Sequence, residues 1–316
     1  MSRRAIVLGA GGFLGRAVYR ALVDAPECEA VAVHFRTPPV LADLLDGDAL
    51  WRALDLAQAT PAEIVELLDF VRADVVVNCT GATFGTPREL RVANVDVVAN
   101  LARALSCRPD VHLVHLGSAA EYGAQWPERP ITETAVAQPV SDYGATKLEA
   151  TRHLLESAQR GELNVTVLRV FNPIGRGAAV QSLPGRAARE IDAALRRGDD
   201  AIHLGSLESW RDYVDTRDVA AAVLAAMASV PSGGGVFNVG SGEAMLTREL
   251  VGLLASIAGY TGTIIESDDG SSRSARVPWQ RADITATSSA LGWRPQHTID
   301  ASLRDLWSGV REGVPA

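Results

Sequence analysis

Ala5-Ile-Val-Leu-Gly-Ala-Gly-Gly-Phe-Leu-Gly15 is the stretch of sequence that decides the fold. It joins a short apolar run to a glycine-rich turn, and 13–23 then repeats apolar residues at the spacing of an amphipathic helix. Glycines at such a turn allow a tight bend, close approach of the backbone to phosphate and close packing of the helix. A dinucleotide pyrophosphate binds at a turn of this kind, at the amino end of the helix. The predicted cofactor contacts here are Gly9, Gly12, Phe13, Leu14 and Gly15.

Short apolar runs alternate with amphipathic stretches through the first half of the chain. The runs are apolar throughout, which is typical of parallel strands covered by helices on both faces. The predicted strands are 5–8, 31–35, 75–79, 111–116, 165–171 and 236–239, and the predicted helices are 13–23, 64–71, 92–105, 143–159 and 186–197. We therefore predict an α/β fold, a Rossmann-type doubly wound parallel sheet with a smaller C-terminal substrate-binding region.

Prolines and glycines interrupt the pattern beyond Asn172. We predict a dinucleotide-binding Rossmann domain over 1–172 and a mainly substrate-binding region over 173–316, with segments at about 212–240 returning to the main sheet. Segments 87–90 and 124–138 are expected to form loops around the pocket. Substrate specificity is expected to reside in these loops, because loops commonly carry binding residues.

The composition excludes several classes of protein. The chain has 316 residues, 47% of them hydrophobic, and a formal net charge of -8, which argues against nucleic acid as a partner. No stretch reads as a signal peptide or approaches the length of a membrane span. The three cysteines are too few and too irregularly spaced for a disulfide framework, and no metal site is predicted. A cytoplasmic protein that acts on a small molecule is the simplest interpretation.

Lys147 is the only lysine among 30 basic lysine and arginine residues. An ammonium is not interchangeable with a guanidinium where geometry matters, and this one follows Tyr143 by one helical turn. Tyrosine ordinarily titrates near 10, and a nearby ammonium would lower that pKa enough for Tyr143 to act as a general acid or base. Ser118 follows an apolar strand and would donate to a substrate carbonyl as negative charge develops. We predict Ser118, Tyr143 and Lys147 as the catalytic group, with Tyr143 and Lys147 also contacting the cofactor.

The end of the second predicted strand bears on the choice of cofactor. An acidic residue there would bind the adenosine ribose, whereas a basic residue would meet a 2′-phosphate. The strand ends Val33-His34-Phe35-Arg36, so Arg36 favours NADP(H), with NAD(H) still possible.

Taken together, the chain resembles the extended short-chain dehydrogenase/reductases, the NAD-dependent epimerase/dehydratase family that acts mainly on nucleotide-sugars. The matching pieces run nearly end to end: 9–15, 55–56, 78–82, 94–95, 117–123, Tyr143-x-x-x-Lys147, 168–173, 211–214, 237–242 and 291–295. The resemblance implies cofactor contacts at Asp55, Leu56, Thr80, Gly81, Ala82, Asn94 and Phe171. It implies substrate contacts, chiefly with a nucleotide diphosphate, at Ser118, Asn172, Arg176, Arg211 and Arg276.

Three reactions share this scaffold in the family: ketone reduction, 4-epimerisation and 4,6-dehydration. Family dehydratases carry Thr-Asp-Glu where this chain has Ser118-Ala-Ala, and Glu121 is one residue out of register. Dehydration is therefore disfavoured. The motifs at 117–123 and 204–214 most resemble GDP-4-keto-6-deoxy-mannose reductases, so we favour an NAD(P)H-dependent 4-ketoreductase of a nucleotide-linked deoxysugar.

Three alternatives stay open at this point. The first is a nucleotide-sugar 4-epimerase with tightly bound NAD, and the second is a catalytically silent NADP-sensing regulator. The third is a reductase of a non-sugar ketone. The resemblance also implies a homodimer formed through the helices at 92–105 and 143–159, by analogy alone.

Overall fold

The computed structural model describes residues 3–34, 51–229, 235–267 and 277–314. Its strands are β1 Arg3–Leu8, β2 Cys28–His34, β3 Trp51–Ala53, β4 Val75–Asn78, β5 His112–Ser118, β6 Asn164–Val170, β7 Asn172–Ile174, β8 Ala201–Gly205, β9 Trp210–Arg211, β10 Tyr213–Asp215, β11 Gly235–Val239, β12 Met245–Leu246 and β13 Thr263–Ser267. Its α-helices are α1 Phe13–Val23, α2 Pro61–Val71, α3 Pro87–Arg91, α4 Val97–Leu105, α5 Asp142–Gln159, α6 Leu183–Arg197, α7 Thr216–Ala228, α8 Thr247–Ala258, α9 Thr285–Leu291 and α10 Ile299–Arg311. A π-helical turn, Val92–Asp96, precedes α4, and a 3-10 turn, Ala119–Glu121, follows β5.

A seven-stranded sheet forms the centre of the molecule, in the order β11-β6-β5-β4-β1-β2-β3. Each of its strand pairs is parallel. Parallel strands bring their carboxyl ends to one edge, where an open α/β sheet binds its ligand. The fold is therefore the predicted doubly wound α/β sheet.

Both faces of the sheet are covered. In β1, Ala5 and Val7 belong to the apolar core under α1 and α7, whereas Ile6 and Leu8 belong to the core under α2, α4 and α5. Successive side chains of a strand point to opposite faces, so a strand buried on both sides must be apolar throughout. This is why the apolar runs identified the strands.

The later part of the chain builds a third core from α6, β8, α8 and α10. β11, although it belongs to the later part of the chain, forms the edge of the main sheet, where Val236 lies opposite Val167 of β6. The predicted domain boundary after residue 172 stays a prediction.

One local expectation was wrong. Segment 87–90 is not a loop, because Thr86 and Glu89 form a capping box that starts α3 at Pro87. The predicted helix 92–105 is helical throughout, but it begins with the π-helical turn Val92–Asp96, a feature that occurs frequently at functional sites. Within the described residues, no helix combines the length and the apolar character needed to cross a membrane.

His112 of β5 makes the stability of the fold depend on pH. Its side chain is 2% exposed, and its Nε2 lies 2.9 Å from Thr166 Oγ1. Burial lowers the pKa of His112 from 6.5 to about 4. Between those values the unfolded chain binds a proton that the folded chain does not. The contribution of His112 to stability is therefore complete above pH 6.5 and is lost as the pH falls towards 4.

We predict that His112→Gln, which keeps a hydrogen-bonding side chain but cannot titrate, weakens this pH dependence. Between pH 6 and 4.5 the free energy of unfolding of the wild-type protein should fall more steeply than that of the variant, by up to about 1.4 kcal/mol per pH unit. Urea unfolding at a series of pH values measures both slopes. Equal slopes would contradict the burial of a neutral His112.

Candidate active site

The glycine turn after β1 is packed too closely for side chains. Gly9 has a left-handed backbone (φ 76°), and a Cβ there would lie 3.1 Å from the backbone nitrogen of Thr80. A Cβ on Gly15 would lie 2.0 Å from the carbonyl oxygen of Gly9. These two glycines let the start of α1 fold back onto β1, as the predicted dinucleotide turn requires.

The amino end of α1 suits an anionic ligand. Its N-cap is Gly12, which is exposed and provides no side-chain cap, and its first turn contains no acidic residue. By contrast, Thr60 and Thr86 cap α2 and α3 with their own side chains. Uncapped amide groups at a helix start are a binding site for phosphate. The predicted contacts Phe13 and Leu14 are half-buried in this first turn, beside the cores described above.

The loop after β4 is fixed next to this turn. Asn94, 1% exposed, donates to the carbonyl oxygen of Ala82 at 2.9 Å and accepts from the Ala82 amide at 2.9 Å. It also donates to Thr146 Oγ1 of α5 at 3.0 Å. A Cβ on Gly81 would lie 2.7 Å from Asn94 Oδ1, so only glycine fits there. Asn94 therefore holds the predicted cofactor loop, Thr80 to Ala82, against α5 through contacts within the protein.

The three predicted catalytic residues come from two neighbouring elements. Ser118 ends β5 and caps the 3-10 turn, where its Oγ accepts from the amide of Ala120 at 3.2 Å. Tyr143 and Lys147 lie one turn apart at the start of α5. A Cβ on Gly144 would lie 2.4 Å from the carbonyl oxygen of Ala120. Gly144 thus allows the start of α5 to rest directly on the turn that carries Ser118.

Lys147 is buried, with 4% of its surface exposed. Its Nζ donates to the carbonyl oxygen of Leu116 at 2.6 Å and lies 3.4 Å from His115 Nε2. Burial lowers the pKa of Lys147 to about 8, against an opposing attraction from the carboxylate of Glu121. Burial and the neighbouring Lys147 together lower the pKa of His115 well below 6.5. The site thus contains an ammonium that can lose its proton near neutral pH.

Glu121 is committed to structural partners. One carboxylate oxygen accepts from the amide of Ser118 at 2.8 Å, and the other accepts from Arg169 Nε at 2.8 Å. Both side chains of this ion pair are at least 94% buried, with exposures of 0% and 6%. The Arg169 guanidinium also stacks 4.5 Å from the ring centre of Tyr122. A carboxylate held in this way fixes the Ser118 turn and is not placed to eliminate water from a substrate.

Two predicted substrate residues lie together near the carboxyl edge of the sheet. Asn172 donates its side-chain amide to the carbonyl oxygen of Asp212 at 2.8 Å. Arg211 is 5% exposed and donates to the carbonyl oxygen of Trp210 at 2.8 Å, and burial lowers its pKa. The Asp212 carboxylate accepts from backbone amides of Ser241, Gly242 and Ala282, although burial raises its pKa to about 6. Asp212 therefore joins its own segment, beside Arg211, to two others, at 241–242 and at 282.

Arg176 contacts the C-terminal part of the chain. Its guanidinium forms ion pairs with Asp305 and Glu312 and donates to Ser308, so it anchors α10. The substrate role predicted for Arg176 stays a prediction.

Other predicted residues are placed less favourably or cannot be placed. Leu56 and Phe171 are 7% and 2% exposed, and each packs in an apolar core, so their side chains offer little surface to a ligand. Asp55 accepts from the amide of Ala57 at 3.0 Å. Arg36 and Arg276 lie outside the described residues. Within those residues, no group of three or more His, Cys, Asp or Glu side chains is arranged to hold a metal ion.

The sequence pattern does not identify several residues that shape the site. His115 lies in a predicted apolar strand, and no pattern predicts a separate role for Asn78, Gly144 or Arg169. The one available signal was the presence of two histidines, His112 and His115, in an otherwise apolar run.

Known proteins resemble this chain over most of its length. Residues 5–240 match the model of the "NAD dependent epimerase/dehydratase family". The chain is 36% identical to dTDP-6-deoxy-L-talose 4-dehydrogenase (NAD(P)(+)) of Kitasatospora kifunensis, over 96% of this chain and 95% of that protein. It is 31% identical to GDP-6-deoxy-D-mannose reductase of Pseudomonas aeruginosa, over 99% and 100%. The solved structure of RMD from Pseudomonas aeruginosa complexed with NADPH superposes with a TM-score of 0.83 at 27% identity, covering 99% of each chain.

The glycine turn gives a matched pair of predictions. Gly15→Ala should destabilise the fold by about 1 to 3 kcal/mol, because the new methyl group meets the Gly9 carbonyl. Gly12 has an ordinary φ of -74°, and a Cβ there would lie 3.3 Å from the carbonyl oxygen of Gly9. Gly12→Ala should therefore change the free energy of unfolding by less than about 1 kcal/mol. Both variants should bind NADPH more weakly. Urea unfolding and fluorescence titration measure the two effects. A Gly12→Ala protein that binds NADPH as tightly as the wild-type protein would contradict phosphate binding at this turn.

Proposed function

The chain belongs to the NAD dependent epimerase/dehydratase family, and we propose that it is an NADPH-dependent 4-ketoreductase of a nucleotide-linked 6-deoxysugar. The observation that carries the proposal is the burial of Lys147 at the end of β5. Its Nζ is held by Leu116, two residues before Ser118, and Tyr143 lies one helical turn away. Ser118, Tyr143 and Lys147 would then act together at the carboxyl edge of the sheet.

In the proposed reaction the carbonyl carbon gains a hydride and the carbonyl oxygen gains a proton. The bound nicotinamide, as NADPH, would supply the hydride. Ser118 Oγ would donate a hydrogen bond to the carbonyl oxygen. Tyr143 would give its phenolic proton to that oxygen and become a phenolate, which the Lys147 ammonium stabilises until solvent returns the proton.

The glycine turn supports the cofactor part of the proposal. Gly9 and Gly15 permit the tight turn, and the uncapped start of α1 would hold the pyrophosphate through its amide groups. NADPH is preferred over NADH because of Arg36 in the sequence and because a similar solved structure contains NADPH. NAD(H) use stays possible, since a similar protein is named for NAD(P)(+).

The substrate part rests on the relatives and on Arg211. Two relatives at 36% and 31% identity are named for a dTDP-linked and a GDP-linked 6-deoxysugar, which leaves the base open. Arg211 would bind the diphosphate, because a guanidinium donates in pairs to phosphate oxygens. Asn172 beside it would contact the same ligand.

Dehydration is disfavoured by the commitment of Glu121 to Arg169 and to the Ser118 amide. The competing candidate is a 4-epimerase with tightly bound NAD, because epimerases share the family and begin with hydride transfer at the same carbon. A silent NADP sensor would not need the buried Lys147 beside Ser118 and Tyr143.

A cytoplasmic homodimer completes the proposal. A groove of about 710 Å³ runs along the outer faces of α4 and α5. Its lining contains both arginines and acidic residues, which suits a two-fold contact in which one patch meets its own copy. Its lining includes Arg91, Asp96, Arg103, Glu149, Arg152 and Glu156.

We predict that the purified protein oxidises NADPH in the presence of a dTDP- or GDP-linked 4-keto-6-deoxysugar. Tyr143→Phe should lower kcat by roughly 100- to 10,000-fold while thermal stability and NADPH binding are retained, because only the proton donor is lost. Tyr260→Phe is the matched control, since the buried Tyr260 hydroxyl has no hydrogen-bond partner among the described residues and belongs to the third core. Its kcat should match that of the wild-type protein.

Two results would contradict the proposal. One is reduction of an unrelated ketone with every nucleotide-ketosugar left untouched. The other is stoichiometric, non-exchanging NAD in the purified protein together with interconversion of 4-epimers.

A further inference from the structure

A chain of hydrogen bonds runs through the protein behind Lys147. It begins at Thr80 in the loop after β4, passes through Asn78 at the end of β4 and His115 in β5, and ends at Lys147 Nζ. Asn78 and His115 are both 0% exposed. Buried polar groups in such a chain have few alternative partners, so each bond constrains the next.

The first bond fixes the orientation of Asn78. The backbone amide of Thr80 can only donate, and it lies 3.0 Å from Asn78 Oδ1. The Thr80 hydroxyl lies 2.6 Å from the same oxygen. The amide oxygen of Asn78 must therefore face Thr80, and its NH2 group must face the other way.

The second bond fixes the tautomer of His115. Asn78 Nδ2 carries only donors and lies 3.1 Å from His115 Nδ1. Nδ1 must therefore accept. His115 is neutral at physiological pH, because burial and Lys147 hold its pKa well below 6.5. A neutral imidazole that accepts at Nδ1 carries its proton on Nε2.

The third contact sets a donor against Lys147. His115 Nε2 lies 3.4 Å from Lys147 Nζ. An ammonium has three donors and no acceptor, so a facing N–H repels it, whereas a neutral amine offers a lone pair. Nζ donates to the Leu116 carbonyl in either form, at 2.6 Å.

We propose that His115 is a positioning residue for Lys147: locked as the Nε2–H tautomer by Asn78 and Thr80, it presents a donor to Nζ and favours the neutral amine over the ammonium. Burial acts in the same direction, since it lowers the pKa of Lys147 to about 8. The contact between His115 Nε2 and Lys147 Nζ acts in addition to burial, and a substitution of His115 removes it.

The other titratable groups around Lys147 do not supply the same control. The Glu121 carboxylate attracts the ammonium but is bound to Arg169. The Cys79 thiol stays protonated, because burial raises its pKa to about 12. Tyr143 is one turn away on the same helix. His115 has a hydrogen bond, from Asn78, that fixes the position of its proton.

The consequence for catalysis rests on the proposed function. Lys147 stabilises the Tyr143 phenolate only as an ammonium, so its loss of a proton would set an alkaline limit to kcat/KM. His115 would place that limit within about one to two pH units of neutrality rather than near the ordinary lysine value of about 10.4.

The composition of the chain makes a direct test possible. Lys147 is its only lysine, so protein labelled with [ε-13C]lysine and carrying a lysine-free tag gives one side-chain signal. The chemical shift of this signal followed from pH 6 to 11 yields the titration midpoint of Lys147 in the free protein. No substrate or cofactor is needed, so failure of this inference is distinguishable from failure of the proposed reaction.

The tautomer is measured separately in protein labelled with [15N]histidine. The His115 signals are assigned by their loss in His115→Phe. We expect a protonated Nε2 and an unprotonated Nδ1 throughout pH 6 to 9 in the wild-type protein. An Nδ1–H tautomer or a charged ring in that range would overturn the proposal without any variant being needed.

Asn78→Asp reverses the lock. Its carboxylate would accept from both the Thr80 amide and His115 Nδ1–H, which leaves the Nε2 lone pair facing the ammonium. The Lys147 midpoint should rise by about one pH unit or more. Because the new charge alone raises the midpoint, the same substitution is made in a His115→Phe background, and the rise there should be smaller.

The matched control is His112→Phe, which removes a buried histidine from the same strand. The His112 side chain bonds to Thr166 rather than to Lys147, so the Lys147 midpoint should stay within about 0.2 pH units of the wild-type value. An equal rise for Asn78→Asp with and without His115 would overturn the proposal, because the charge would then account for the whole effect. So would a wild-type midpoint near the ordinary lysine value.

Discussion

The hydrogen bond from Lys147 Nζ to the carbonyl oxygen of Leu116 is the contact on which the site depends. A buried ammonium is tolerated only where partners replace its lost hydration. The carbonyl group of Leu116 provides one such partner, just past His115, where the pairing of β5 with β4 ends. This bond ties the start of α5 to the end of β5, and the Ser118 turn follows two residues later.

Close backbone packing lets those elements meet. Gly144 admits the carbonyl oxygen of Ala120, and Gly15 admits that of Gly9. Each contact joins a helix start to the end of a strand or to the turn that follows it. The buried ion pair of Glu121 and Arg169 holds the Ser118 turn through the bond from the Ser118 amide to Glu121. The Asp212 carboxylate joins the segments around Arg211 by hydrogen bonds to their backbone amides. A buried ion pair contributes little net stability compared with a well-packed apolar pair of similar volume. Its hydrogen bonds nevertheless restrict the turn to one arrangement.

The sequence was informative where the evidence was local. α1 spans the predicted 13–23, because its apolar periodicity and its glycine turn lie within one short stretch. Tyr143 and Lys147 lie one turn apart on α5, as their four-residue spacing predicts. The sheet followed from apolar runs that only burial on both faces explains.

The remaining features depend on pairs that are distant in the sequence. His115 meets Asn78 and Lys147 only through strand order, and Glu121 meets Arg169 only because β5 lies beside β6. Arg176, for which the sequence predicts a substrate contact, forms ion pairs with Asp305 of the last helix and with Glu312 just after it, and these partners too are distant in the sequence. Sequence position alone does not distinguish an arginine that forms an ion pair within the protein from an arginine that binds the phosphate group of a ligand.

Transfer of deuterium from labelled NADPH is the most direct test of the central claim. The protein is given NADPH deuterated at the transferable position of the nicotinamide, together with a nucleotide-linked 4-keto-6-deoxysugar, and the product is analysed by mass spectrometry and NMR. A 4-ketoreductase should place one deuterium on carbon 4 of the sugar and consume one NADPH for each product formed. Turnover to a 4-epimer without net loss of NADPH and without deuterium at carbon 4 would contradict the claim.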